Sequence, residues 1–261
     1  MKNTLKIFQL AWKTRRAWWF TATSRTRERF ARTALGSFWL GLSTLLSVGA
    51  LALVYGTVFR VQDFPAYVVY LGLGLVAWNS VSGAVTSAPL IFRVNAGNIK
   101  NTNIHPIFFS LEEWAFQVQT FLQSFGLVFI AMCLVKPSLA VNMITSGLLP
   151  LINILLFMYW LPLLICLLGA EYEDLFQLLP IIVQLVFLVS PILYERKALG
   201  SLGWIADVNP LYILTDSLRS SLINGNNRPF QALLIFTLNV TGIVVSTWIL
   251  ELKRRKLPFL T

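Results

Sequence analysis

The chain has 261 residues and carries 21 basic and 11 acidic side chains, which gives a net charge of +10. Hydrophobic residues make up 56% and charged residues only 12%, about half the roughly 25% charge content of a soluble domain. This composition, with a mean hydropathy of +0.69, excludes water-soluble globular, disordered, fibrous and disulfide-stapled proteins. It indicates a membrane protein with several spans.

The remaining charge is unevenly distributed along the chain. Six windows contain no Asp, Glu, Lys or Arg: 33–59, 64–92, 114–135, 137–170, 175–194 and 229–250. Each reaches the roughly 20 residues that a helix needs to cross a bilayer, and the continuous apolar runs exclude a membrane barrel. We therefore expect an all-α membrane protein, a single transmembrane domain over 1–261 with six transmembrane helices. Window 137–170 is interpreted as one long helix with an irregular start, kinked by Pro150 and Pro162.

The first 32 residues are basic and aromatic. Leu5, Phe8 and Trp12 recur at helical spacing among lysines and arginines. This pattern favours an N-terminal amphipathic helix in the membrane interface, and a disordered basic tail is the alternative.

The basic residues also indicate orientation. Fifteen Lys and Arg residues lie in 1–32, 93–113 and the C-terminal tail, against six in the loops on the other side. The positive-inside rule places both termini in the cytoplasm. The net charge thus predicts orientation and contact with anionic membrane lipid, and no binding of nucleic acid.

Two segments between spans are more than simple connections. The polar segment 93–113 contains Asn95, Asn98, Ile99, Lys100 and His105 and predicts a compact loop with one short helix. It is either a solvated hairpin or a docking element for a cytoplasmic partner. His105 is the only histidine and is interpreted as structural.

The outer segment 195–228 contains Asn209-Pro210, a cap followed by proline at the first helical position. A helix of about 13 residues follows, too short to cross the bilayer, and Leu199 to Ile205 with Trp204 forms a second arm. We expect short re-entrant outer helices between spans five and six, serving either as a gate or as passive interfacial helices.

The sequence contains no motif for chemistry. It has no phosphate-binding loop, no HExxH and no GxSxG. Cys133 and Cys166 are interpreted as small apolar residues, so no catalytic residue, metal site or cofactor is expected on this chain. No window has an ionisable residue at its centre, where a proton- or ion-coupled transporter usually places one. Energy for active transport would therefore come from another subunit.

Several short motifs occur in a familiar order. They are Leu35-Gly36-Ser-Phe-Trp39, Tyr67-Val-Val-Tyr70 with Trp78, Asn98-Ile99-Lys100 with Pro106, Ser190-Pro191-Ile-Leu-Tyr194, and Asn209-Pro210 with Arg219. In these motifs the chain resembles the permease subunits of bacterial ABC exporters for capsular polysaccharide, O-antigen and teichoic acid.

The resemblance implies a homodimer in the bacterial inner membrane with two copies of an ATPase subunit, which would carry ATP and Mg. It implies coupling to the ATPase through Asn95, Asn98, Ile99, Lys100 and His105. It further implies an outer gate with these residues: Trp204, Asn209, Pro210 and Arg219. The substrate would be a lipid-linked polysaccharide.

One stretch departs from that family. Its members commonly have a basic residue on each side of the aromatic before Asp in the loop between spans four and five. Here the stretch is Glu171-Tyr172-Glu173-Asp174, so only Asp174 carries over as a coupling residue.

Sugar faces stack on aromatic rings, so a glycan channel should be lined by aromatic residues. The candidates are Tyr55, Phe59, Phe187 and Tyr194 near the outer ends of spans one and five, and the alternative for each is the interfacial aromatic belt. Two other functions stay open, an ABC permease for a lipid or drug and a membrane scaffold or channel without ATP coupling.

Overall fold

A computed structural model describes residues 2–102, 104–225 and 229–260, without the side chains of residues 2–5. The only regular secondary structure in this part of the chain is helical, and it contains no strand. The helices are α1 (Lys2–Lys13), α2 (Arg15–Phe30), α3 (Phe38–Val58), α4 (Phe64–Val94), α5 (Ala96–Asn101), α6 (Ile107–Val135), α7 (Ser138–Gly169), α8 (Leu175–Val189), α9 (Gly203–Val208), α10 (Pro210–Asn224), α11 (Pro229–Lys253) and α12 (Leu257–Leu260).

Five of these helices are long and apolar enough to cross a membrane: α3, α4, α6, α7 and α11. The helix expected over 175–194 ends at Val189 instead, and its 15 residues span only about 22 Å at 1.5 Å per residue. Ser190 is extended because it precedes Pro191, and a residue before proline is disfavoured in the α conformation. That α8 counts as a sixth span stays a prediction.

Helix α4 lies at the centre of the bundle. In its most apolar stretch 67% of the residues are buried, and the helix packs against α3, α6, α7 and α10. Two large apolar clusters form most of the core, and a small third cluster joins α2 to α6. Inner and outer denote the ends of the bundle that the basic residues predict to face the cytoplasm and the outside. The first cluster fills the middle and outer part of the bundle around α4, and the second lies at the inner end and contains Ile7, Ile99, Leu250 and Leu257.

The inner boundaries of the helices differ from the expected ones. Helix α6 begins at Ile107, so the segment expected over 93–113 is shorter, and Glu112 and Glu113 lie inside the helix. The helix accommodates Glu113 because Arg25 forms an ion pair with it at 2.6 Å.

The N-terminal segment forms two helices rather than one, because the first helix ends before Thr14. Of the residues that predicted amphipathicity, Phe8 and Trp12 are exposed, and the side chain of Leu5 lies outside the described residues. Ile7 is buried in the inner cluster.

Helix α7 is one long helix that contains a π-helical turn over Met143–Gly147, close to its start. Side chains near this turn bind the carbonyls at the end of α10: Asn142 donates to Leu222 O at 2.8 Å and Ser146 to Ser221 O at 2.9 Å. Lys136 donates to Ile223 O at 2.7 Å. Side chains of α7 and of Lys136 thus satisfy carbonyls that the end of α10 leaves unpaired.

Candidate functional site

At the outer end of the bundle, residues 190–195 form a non-helical segment that α4 holds by two tyrosines. Tyr67 donates its hydroxyl to Leu193 O at 2.6 Å, and Tyr70 shares its single hydroxyl hydrogen between Pro191 O at 3.0 Å and Tyr194 O at 2.9 Å. Carbonyls released from a helix need donors when they are buried. Tyr67 and Tyr70 supply them, and their spacing of three residues places both on one face of α4.

Arg219 on α10 completes this arrangement. Its guanidinium is only 2% exposed and donates to Pro191 O at 3.2 Å and to Asp216 Oδ1 at 2.8 Å. It lies 3.7 Å from the ring centre of Tyr70, which is a cation–π contact with a buried arginine. A Cβ at Gly74 would lie 3.2 Å from the guanidinium, so the glycine allows this close approach.

Asn209 caps α10 and connects it to the same segment. Its Oδ1 accepts from Leu211 N at 3.0 Å, and its Nδ2 donates to Ser190 Oγ at 2.6 Å. We refer to Tyr67, Tyr70, Asn209, Arg219 and residues 190–195 as the outer cluster.

The other two predicted gate residues, Trp204 and Pro210, lie at the surface. Trp204 is 62% exposed on α9, and Pro210 is exposed at the first position of α10. The helix predicted after Asn209 is therefore present, and its place in the outer leaflet stays a prediction. The last three residues of the outer segment, 226–228, lie outside the described residues. They include Arg228, one of the six basic residues assigned to the outer side.

A groove of about 630 Å³ opens beside the outer cluster. Its aromatic lining consists of Phe59, Tyr67, Tyr70 and Tyr194, and its polar lining includes these residues: Gln62, Asp63, Glu195 and Lys197. Two of the four aromatics proposed from sequence, Phe59 and Tyr194, therefore line one cavity.

The other two predicted channel aromatics, Tyr55 and Phe187, do not line this groove. Tyr55 stacks on Phe59 with 5.6 Å between ring centres, and Phe187 packs against Trp78 at 5.5 Å. Tyr194 donates its hydroxyl to Leu188 O at 3.1 Å.

At the inner end, residues 95–106 contain the short helix α5. Asn98 and Lys100 are exposed, and Asn95 donates its side-chain amide to Ile91 O at 2.8 Å. Ile99 is buried in the inner apolar cluster. Of the six residues that the resemblance assigns to coupling, Ile99 and His105 thus contact the chain's own core.

His105 is fixed by hydrogen bonds on both ring nitrogens. Nδ1 accepts from Ile107 N at 3.2 Å, so the proton of a neutral ring lies on Nε2, which donates to Glu251 Oε2 at 3.3 Å. Burial lowers the pKa of His105, the nearby Arg254 lowers it further, and Glu251 opposes both effects. The ring is therefore neutral at physiological pH.

The acidic stretch before α8 has partners within the chain. Glu173 pairs with Arg93 at 3.0 Å and Glu171 pairs with Lys253 at 2.9 Å, while Asp174 is exposed just before α8. The departure from the family pattern therefore joins the 171–174 stretch to α4 and α11.

Sequence reasoning missed an inner polar cluster that holds α2 against α6. Besides Arg25, Glu113 binds Ser87 Oγ at 3.3 Å and Gln117 Nε2 at 2.8 Å, and Arg25 lies 4.2 Å from the ring of Phe116. A carboxylate pair next to an apolar window was visible at 112–113, but its partner 88 residues earlier was not.

Among residues 2–102, 104–225 and 229–260, no three His, Cys, Asp or Glu side chains gather where they could hold a metal ion. A model of the ABC-2 type transporter family matches residues 19–223, which is most of the chain and includes both the inner segment and the outer cluster. No curated protein sequence matches the chain.

Proposed function

We propose that this chain, a membrane permease subunit of the ABC-2 type transporter family, carries a lipid-linked cell-surface polysaccharide. The chain belongs to that family, and membership implies pairing with an ABC ATPase. In this proposal two copies of the chain form the path, and two copies of the ATPase bind ATP and Mg. The complex lies in the bacterial inner membrane with both termini of this chain in the cytoplasm, as the distribution of basic residues favours.

The outer groove carries the proposal. Four aromatic side chains line it together with an amide, two carboxylates and a lysine. Sugars present C–H faces that stack on aromatic rings and hydroxyls that bind such polar groups, whereas a lipid tail needs no polar partner. A groove that combines both kinds of side chain fits a glycan.

The inner segment supports coupling to the ATPase. The exposed side chains of Asn98 and Lys100 would meet the partner subunit, together with Asp174 of the neighbouring loop. The less accessible Asn95, Ile99 and His105 would position them. A polymer cannot be enclosed, so ATP-driven cycles at the inner end would advance it stepwise past the outer groove.

Reconstitution of the chain with its ATPase in proteoliposomes tests the proposal. Long lipid-linked glycan should stimulate ATP hydrolysis, and Phe59→Ala and Tyr194→Ala should reduce that stimulation. Phe230→Ala is the matched control, because Phe230 is 79% exposed at the outer end and does not line the groove. Stimulation by a lipid or drug without glycan would instead assign the chain to that transport class. Unchanged glycan export in cells without the ATPase would exclude ATP coupling.

A further inference from the structure

The C-terminal end of the chain packs against the inner segment. Helix α12 contacts α5, and the two helices share one buried apolar cluster. Ile99 of α5 is 7% exposed and Leu257 of α12 is fully buried in that cluster. By contrast, Phe259, two residues further along α12, is 89% exposed. One face of a short C-terminal helix is thus buried beside α5.

A second connection lies at the other end of the inner segment. His105 donates to Glu251, which belongs to the last turn of α11. The two contacts bracket the segment, one through α5 and one directly before α6. Glu251 and Leu257 are only six residues apart, so both contacts come from the same end of the chain.

These contacts matter because α5 has only six residues. A helix of this length is unstable alone and depends on tertiary packing for its position. The helices on either side of it in the sequence are α4 and α6. They do not by themselves cover the face that carries Ile99, because Leu257 and Ile7 belong to the same cluster.

We propose that residues 251–257 act as a brace that positions α5 and joins it to α11. On the proposed coupling function, which this inference presupposes, a displacement of α5 by the ATPase would then move α11 as well as α4 and α6. Leu257 and Glu251 are positioning residues in this scheme, since they reach the partner only through Ile99 and His105.

Coupling measurements test the brace against a purely local role. In proteoliposomes with the ATPase, Leu257→Ala should reduce the amount of substrate moved per ATP hydrolysed while hydrolysis itself continues. Phe259→Ala, on the same helix but exposed, should leave that ratio unchanged. The pair Glu251→Gln and Glu251→Ala provides a second comparison. The glutamine keeps an acceptor for His105 and should retain more coupling than the alanine.

A distance measurement on the permease alone keeps the inference independent of the proposed function. Spin labels at Asn101→Cys and Phe259→Cys, in a chain with Cys133→Ala and Cys166→Ala, report the separation of α5 from α12. A narrow distance distribution that broadens with Leu257→Ala supports the brace. A distribution that is already broad, or that Leu257→Ala leaves unchanged, overturns it. If the labels support the brace but no complex with the ATPase forms, the coupling function fails and the brace remains as a structural contact.

Discussion

Replacing Arg219 by methionine is the sharpest test of the outer cluster. Methionine retains an apolar stem but removes the guanidinium, which donates to Pro191 O and Asp216 and lies 3.7 Å from the ring of Tyr70. Breaking a buried ion pair from one side costs about 3–5 kcal/mol when the remaining charge stays dry. Here the cost is lower, because the side chain of Asp216 is 34% exposed and can regain water, and Tyr70 still donates to Pro191 O.

The remaining loss of stability comes from the cation–π contact, which contributes about 2 kcal/mol when desolvated, and from part of a charged hydrogen bond. We therefore expect Arg219→Met to lower the free energy of unfolding by about 2–3 kcal/mol, which is roughly a 30- to 150-fold change in the folding equilibrium. Arg219→Lys should fall between the two proteins, because an ammonium cannot bridge the carbonyl and the carboxylate with a planar fork.

Equilibrium unfolding in mixed micelles measures this change. The control is Arg196→Met, whose ion pair with Asp207 is half exposed on both sides and should matter far less because solvent screens it. If Arg219→Met changes the free energy of unfolding by less than about 0.5 kcal/mol, the size of an ordinary surface effect, then the guanidinium does not hold residues 190–195 and the reasoning is wrong.

Three further predictions concern other parts of the bundle. Glu113→Gln removes the charge that Arg25 binds at 2.6 Å. Hydrogen exchange of the α2 backbone amides should accelerate roughly fivefold to tenfold, because the helix loses about 1 kcal/mol of stabilisation. Unchanged exchange would show that packing alone holds α2. Asn239→Ala removes the amide that joins α11 to α7 by donating to Asn153 O and accepting from Trp160. The free energy of unfolding should fall by about 0.6–1.7 kcal/mol, and the exposed Thr237→Ala is the control. His105 has a pKa below the unfolded value of about 6.5, so the unfolded state binds more protons below that pH and stability should fall on acidification from about pH 7.5 to about 5.5. His105→Gln should lose less stability over this range, and equal losses in both proteins would contradict a neutral buried ring.

The long helices could be predicted because their evidence is local. An uncharged run of about 20 residues specifies a span without reference to the rest of the chain, and Asn209-Pro210 specifies the start of α10 by its own cap. The end of α8 was also readable in principle, since Pro191 restricts Ser190. The uncharged window over 175–194 is therefore longer than the helix within it, which ends at Val189.

The contacts that hold the sites together could not be predicted, since they join residues far apart in sequence. Nothing near Arg219 indicates that its guanidinium would bind a carbonyl 28 residues earlier, and nothing near Glu113 indicates Arg25. The roles of Ile99 and His105 likewise depended on which face of a short segment is buried. That face packs in a cluster with Ile7 and Leu257, which lie far outside 93–113 in the sequence.

Helix α4 relates the inner segment to the outer cluster. Near its outer end Tyr67 and Tyr70 bind the carbonyls of residues 190–195, and its inner end leads through Asn95 into α5. Between them the helix is continuous except for a 3₁₀ turn over Ala88–Leu90. Because neighbouring helices enclose most of α4, a displacement of α5 has two outcomes. It either bends α4 at that turn or moves the helix as a rigid body, and rigid movement would shift the donors that hold the outer segment. If the proposed coupling function holds, the turn over Ala88–Leu90 would therefore determine whether a displacement of α5 reaches the groove.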